Sequence, residues 1–320
     1  MKSINLPLCL IFMFLFVSCG EDIDDPVDPF SGEYEEEEEQ PPFTFLDDEG
    51  NLYYTGLLDS FCYGFNGPPL GSEGALNDYE IPEELPDSYD LSEFLPPVRS
   101  QGQQGSCSAW ATSYYMKYLQ ENLEHGTDSI VPVLSPAYTY NLITMGECQG
   151  TAVSAHLQLL KSRGVCTWSS FPYTDMHCLE QPGAAQDEEA EFSKITDFKQ
   201  LSGENMVNEM KALLVDQIPI VLSVGLDPQF GKRDALGLTA YREHPMTSDD
   251  ITGAHAMLAV GYDDANDAFK LVNSWGTGWG DSGFVWIDYE AFDNVLNDDY
   301  SFKVICSAYV SFDEIEEEED

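Results

Sequence analysis

Basic residues are scarce in this chain, and along one long stretch they are missing altogether. Its 320 residues carry 13 Lys and Arg against 58 Asp and Glu, a formal net charge of −45, and no Lys or Arg occurs between Lys2 and Arg99. A polyanion of this kind repels phosphate backbones, which argues against nucleic acid as a partner. A membrane-spanning run is lacking as well: the apolar stretch from Ile4 to Val17 is too short to cross a bilayer comfortably. Metal-ligand spacing is also missing. Asp263-Asp264-Ala265-Asn266-Asp267 lacks the glycine and the closing glutamate of a calcium loop and reads as a polar hairpin turn. The sequence therefore asks for no metal and no cofactor.

What is present is concentrated in three segments. The run Pro97-Val98-Arg99-Ser100-Gln101-Gly102-Gln103-Gln104-Gly105-Ser106-Cys107-Ser108-Ala109-Trp110 sets a cysteine at a Gly-Ser turn just ahead of a helical pattern. A thiol at a helix N-terminus lies against free N–H groups and the positive end of the dipole. Its pKa is therefore expected to fall below the ordinary ~8.5. Downstream come Gly253-Ala254-His255-Ala256-Met257 and Leu271-Val272-Asn273-Ser274-Trp275-Gly276-Thr277-Gly278-Trp279-Gly280. Acyl transfer through a thioester needs a nucleophile, a base that turns acid, a group that orients the base, and donors for the developing oxyanion. Each part has a candidate here. Taken singly, each also has an ordinary reading: a cysteine can be a small core residue, and His255, followed by Ala256 to Val260, can be a hydrogen-bonded core histidine on a strand. His125, His156, His177 and His244 have no comparable context and read as structural or solvated.

Together the Gln-Gly-x-x-Gly-Ser-Cys run, the His-Ala block and the Asn-Ser-Trp-Gly-x-x-Trp-Gly block resemble the papain family of cysteine peptidases, over roughly residues 85–310. That family sets its His and Asn some 130–150 residues beyond the cysteine; here the separations are 148 and 166. The resemblance implies that Cys107 attacks the scissile carbonyl, that His255 is base and then acid, and that Asn273 orients the His255 ring. Trp275 would shield that contact, and Gln101 with the Cys107 N–H would bind the oxyanion. Substrates would be proteins or peptides. Three departures stand out. Gln104 occupies the place of a cysteine, Ser108 that of a Trp, and the Cys-x-Gly-Gly wall that pairs with substrate survives at most as Cys148-Gln149-Gly150-Thr151. The resemblance also suggests a Cys148–Cys178 disulfide, or else Cys166–Cys178, while a reversible Cys62–Cys107 bond would act as a redox lock. The alternative function is a papain-like binding lipoprotein that has lost turnover.

Residues 1–18 read as a signal peptide. Its Phe16-Val17-Ser18-Cys19 end resembles a bacterial lipobox, making Cys19 a lipidated N-terminus outside the cytoplasm and anchored to the outer membrane, and the Glu21-Asp22-Ile23-Asp24-Asp25 run after it resembles a surface-export signal. Residues 19–42 form an acidic tether and 311–320 an acidic tail. Residues 43–84 carry too many large apolar groups for a solvated spacer, among them Phe43, Phe45, Tyr53, Tyr54 and Leu57, and are expected to pack on the body as a prosegment. In the body, helices are expected over Ala109–Glu124, Ala152–Arg163 and Met206–Val215, and strands over 218–224, 256–262, 268–274, 283–287 and 307–310. The fold class is α+β and papain-like, with a helical subdomain and an antiparallel β-rich subdomain on either side of a cleft.

Overall fold

The computed structural model describes residues 43–58, 75–76, 79–126, 130–201, 205–242, 250–292 and 304–313. The signal, Cys19, the tether, Cys62 and His244 lie outside these residues. Two short N-terminal strands, β1 (Thr44–Leu46) and β2 (Leu52–Tyr54), form an antiparallel hairpin. Its turn is closed by Asp47, whose carboxylate accepts from the Glu49 and Asn51 backbone N–H groups at 3.0 and 2.8 Å.

The helical half begins at α1 (Cys107–Ala109), continues through a π-wound stretch (Trp110–Met116) and ends in α2 (Lys117–His125). A helical stripe of Trp110, Tyr114 and Tyr118 with Tyr115 and Leu119 is what the sequence offers here; all but Tyr118 are buried in the core, and Tyr118 is half-buried against it. Gly126, at φ 71°, terminates α2 in a conformation that costs glycine least. Helix α3 (Pro136–Thr144) starts with Pro at its first position behind a Ser135 cap that accepts from Tyr138 N–H. It packs on α4 (Val153–Ser162). Two further helices follow, α5 (Ala184–Ala190) and α6 (Met206–Val215).

The other half is a sheet that, among the described residues, takes the order β3-β5-β12-β6-β9-β10-β11-β8-β7, with β4 also paired to β9. These strands are β3 (Ala75–Leu76), β4 (Ser88–Asp90), β5 (Asp197–Leu201), β6 (Ile220–Leu226), β7 (Lys232–Arg233), β8 (Thr239–Tyr241), β9 (Gly253–Asp263), β10 (Ala268–Val272), β11 (Phe284–Asp288) and β12 (Ile305–Phe312). Pairing is antiparallel except at β3·β5 and β8·β11. Strand β9 is central, buried almost throughout, and holds His255 opposite Val224 of β6. Burial on both faces explains why its sequence is a nearly continuous apolar run. Strand β12 runs two residues past the expected end, pairing Phe312 with Asp197.

Cys148 and Cys178 are joined by a disulfide, which staples the segment after α3 to the loop before α5. Cys166 is free and buried, so the alternative Cys166–Cys178 pairing does not form. Cys306 is also disulfide-bonded.

Among the described residues two histidines are wholly buried, and desolvation pushes His156 down to about 3 and His255 to about 4 from the usual 6.5. The unfolded chain takes up both protons near pH 6.5 while the native chain takes up neither until roughly pH 4. Stability should therefore fall as pH falls through that window, by as much as about 2.7 kcal/mol per pH unit for two protons, partly offset by Glu209, whose burial raises its carboxyl. Urea unfolding at pH 7 and pH 5 checks this: a midpoint that is unchanged or higher at pH 5 contradicts it.

Candidate functional site

The site is assembled where the start of α1 meets the loop after β10. Ser106 ends the Gly-Ser turn, its Oγ 2.7 Å from the Tyr173 hydroxyl, and its carbonyl accepts from the Ala109 and Trp110 N–H groups as the helix begins. Cys107 is thereby the first helical residue, fully buried. Its sulfur meets the backbone N–H of Ala256, the residue after His255, so the cysteine and the histidine approach each other from the two halves of the fold.

His255 Nε2 lies 2.7 Å from Asn273 Oδ1. Asn273 Oδ1 also accepts from the Ser274 backbone N–H at 2.6 Å, which fixes the amide orientation, since a backbone N–H can only donate. An acceptor at that position requires His255 Nε2 to carry the ring proton. In the neutral ring Nδ1 is then the basic nitrogen, and among the described residues it has no hydrogen-bond partner. The Trp275 indole stacks on the imidazole at 4.6 Å between ring centres.

Gln101 is fixed in the same way. Its Oε1 accepts from Ser274 Oγ at 2.6 Å, and its Nε2 donates to the Gln104 carbonyl at 2.8 Å. The remaining Nε2 hydrogen goes to the carbonyl of Thr55, also at 2.8 Å, and the Cys107 backbone N–H points at that same oxygen at 3.3 Å. A peptide carbonyl from the N-terminal segment thus sits between the two donors that the sequence suggests for an oxyanion.

Residues 43–58 form a strap over the site, held on both sides of Thr55. Before it, Trp275 Nε1 donates to the Tyr54 carbonyl at 2.7 Å and the Tyr53 ring stacks on Trp275 at 4.6 Å. Asp48 pairs with Lys232 at 2.7 Å. After it, Thr151 N–H donates to the Gly56 carbonyl at 2.8 Å and Leu58 N–H to the Thr151 carbonyl at 3.0 Å. Thr151 thus supplies the wall that the sequence offered only as Cys148-Gln149-Gly150-Thr151. Gly56 has φ 112°, and a Cβ there would lie 2.1 Å from the Gly105 carbonyl carbon. Only glycine fits so close a crossing.

Two expectations fail. The Cys107 thiol is not lowered: burial pushes it up to about 12, outweighing the N–H groups around it. The expectation counted the helix terminus but not the strap, which removes the water a thiolate needs. Cys107 is also a free thiol, so no Cys62–Cys107 lock is present. The strap carbonyl of Thr55 and the bracing hydroxyl of Ser274 were not anticipated; Ser274 could have been found beside Asn273 in its motif, whereas no residue type marks Thr55.

The profile described as papain family cysteine protease matches residues 85–301, most of the chain. The chain is 29% identical over 236 residues to gamete and mating-type specific protein A of Dictyostelium discoideum, covering 70% of this chain and 46% of that one. It is 27% identical over 213 residues to a cathepsin L-like proteinase of Fasciola hepatica, covering 63% and 60%. It spans less than two thirds of either relative. Among solved structures, xylellain, a cysteine protease from Xylella fastidiosa, shares the fold with TM-score 0.59 and 23% identity over 74% of this chain and 91% of that one. Digestive procathepsin L2 from Tenebrio molitor larval midgut does so with TM-score 0.55 and 23% identity over 72% and 69%. With Gln101, Cys107, His255 and Asn273 all inside the matched stretch and converging as described, the chain belongs to the papain family of cysteine proteases.

Proposed function

We propose that the chain hydrolyses peptide bonds through a thioester, with Cys107 as nucleophile, His255 as base and acid, Asn273 as orienter and Gln101 as oxyanion donor, and that its strap keeps it latent. The observation that carries this is the Thr55 carbonyl, a peptide C=O already bound by Gln101 Nε2 and the Cys107 N–H. In the reaction the Cys107 proton passes to His255 Nδ1 and the thiolate attacks the scissile carbonyl carbon. The C–N bond then breaks as His255 protonates the leaving amine. Water, losing a proton to His255, hydrolyses the thioester to a carboxylic acid and restores the thiol. With the strap in place burial keeps Cys107 and His255 both neutral, so the thiol is a poor nucleophile and the strap persists.

Gly56→Ala offers a test that leaves the four reactive positions untouched. Its methyl group collides with the Gly105 backbone and should lift the strap. The full chain carrying Gly56→Ala should cleave a mixed peptide library at least tenfold faster than the unsubstituted chain. Tyr53→Ala, which deletes the ring stacked on Trp275, should activate less, and adding Cys107→Ala should abolish cleavage. Equal activity with and without Gly56→Ala would end the latency proposal, and no cleavage by either would end the peptidase proposal.

Localisation rests on the sequence alone: we propose that Cys19 is lipidated and tethers the enzyme to a bacterial outer membrane. Cells fed an alkyne fatty acid should label the chain, and Cys19→Ala should abolish the label and release the protein to the soluble fraction. Persistent labelling of Cys19→Ala would contradict the assignment.

A further inference from the structure

Behind the Thr151 wall runs a chain of buried polar groups that the hydrolytic mechanism does not use. Ser108 Oγ donates to the Thr151 carbonyl at 2.8 Å. Thr151 Oγ1 lies 2.8 Å from His156 Nε2, His156 Nδ1 lies 3.0 Å from Thr139 Oγ1, and Thr139 Oγ1 lies 2.7 Å from Ser113 Oγ. His156, Ser108, Ser113 and Thr139 are wholly buried and Thr151 nearly so. Placing an imidazole and four hydroxyls in a core that apolar side chains could fill costs desolvation, which only complete hydrogen bonding offsets.

The network ends on one peptide unit with a task. Thr151 gives its N–H to the Gly56 carbonyl and its C=O to the Leu58 N–H, a two-point grip on extended main chain. Ser108 fixes the carbonyl from behind, leaving its second lone pair for the chain in the cleft. His156 fixes the side chain, and with it the backbone that carries both groups. Ser108 and His156 come from different helical segments, the start of α1 and α4, so the wall is braced from two directions.

We propose that His156, acting through the Thr151 hydroxyl and joined by Ser108, is a positioning residue that sets the main-chain grip for peptides entering the cleft. This rests on the reading of the cleft as a peptidase site. Burial keeps the imidazole neutral, pushed down to about 3, so each ring nitrogen can meet one hydroxyl across the working pH range. Affinity for extended peptide is then tuned from α4 through the Thr151 hydroxyl, while Ser108, whose side chain also meets the Cys107 thiol, joins the wall to the nucleophile.

The test uses Thr151→Val, which is nearly isosteric and lacks the hydroxyl, together with Ser108→Ala, His156→Leu and His156→Gln. The background for kinetics is the full chain with Gly56→Ala. Thr151→Val and His156→Leu should raise KM for a short peptide about three- to tenfold, the scale of one net hydrogen bond, with kcat within about twofold; Ser108→Ala should raise KM likewise, and only its KM enters the test because its side chain also meets the Cys107 thiol. His156→Gln, which returns a polar group near Nε2, should recover most of the loss. In the chain with its strap intact, the Leu58 and Thr151 amides should exchange with deuterium faster in the same variants while the Cys107 amide does not. A lower Tm with unchanged KM and unchanged amide exchange overturns the proposal, as does a fall in kcat at constant KM. If the Gly56→Ala background cleaves nothing, the peptidase reading fails, and the exchange pattern alone upholds or overturns the role of His156. If His156→Leu does not fold, Thr151→Val and Ser108→Ala decide.

Discussion

Everything at the centre of this molecule depends on two N–H donors pointing at one place. Gln101 Nε2 and the Cys107 backbone N–H come from one short loop, yet neither aims itself. The Gln101 amide is turned by Ser274 from the sheet-rich half and by the Gln104 carbonyl, and the Cys107 N–H is free to point outward because it opens a helix. A donor pair fixed before any ligand arrives costs no reorganisation when charge develops, and for that reason such pairs carry much of the rate in acyl transfer. Here the same pair holds the Thr55 carbonyl, so the strap occupies the place that the proposed mechanism gives to the oxyanion.

Burial then decides the electrostatics. A helix N-terminus favours a thiolate by about 1 kcal/mol, whereas removing water from a thiol works several-fold more strongly in the opposite sense. The strap supplies that dehydration around Cys107, and Trp275 with Phe45 and Tyr53 supplies it around His255. Neutral thiol beside neutral imidazole is the quiet form of the pair. On the proposed mechanism, lifting the strap would readmit water and let the proton cross to His255 Nδ1, the nitrogen that the Asn273 contact leaves open among the described residues. On that reading, latency and activation would be two hydration states of one geometry.

The sequence made the sheet-rich half and the long helical segment legible because their apolar periods are strong: β6, β9 and β10 fall close to the expected runs, and Trp110, Tyr114 and Leu119 line the helix core as their spacing indicates. Helix α3 is hard to read from the sequence although Ser135-Pro136 is a start signal, because its Tyr138-Thr139-Tyr140 core is buried on several sides and shows no clean polar face. Cys107, His255, Asn273 and Gln101 could be named from motif and residue chemistry. The strap could be suspected from its aromatic content, but which carbonyl it offers could not be read, since any residue has a carbonyl and only the φ of Gly56 sets the crossing. Ser108, which stands where the family has a Trp, and Thr151 of the altered wall are in three dimensions partners in one buried network.

The most direct measurement is the rate of Cys107 alkylation by iodoacetamide as a function of pH, followed by mass spectrometry in the full chain with and without Gly56→Ala. With the strap intact, alkylation should be slow at pH 6 and still climbing above pH 9, as for a thiol pushed up to about 12. With Gly56→Ala it should be fast at pH 6 and nearly level from there to pH 8, the signature of a thiolate paired with imidazolium. Identical profiles for the two chains, both rising through ~8.5 like a free thiol, would contradict the account.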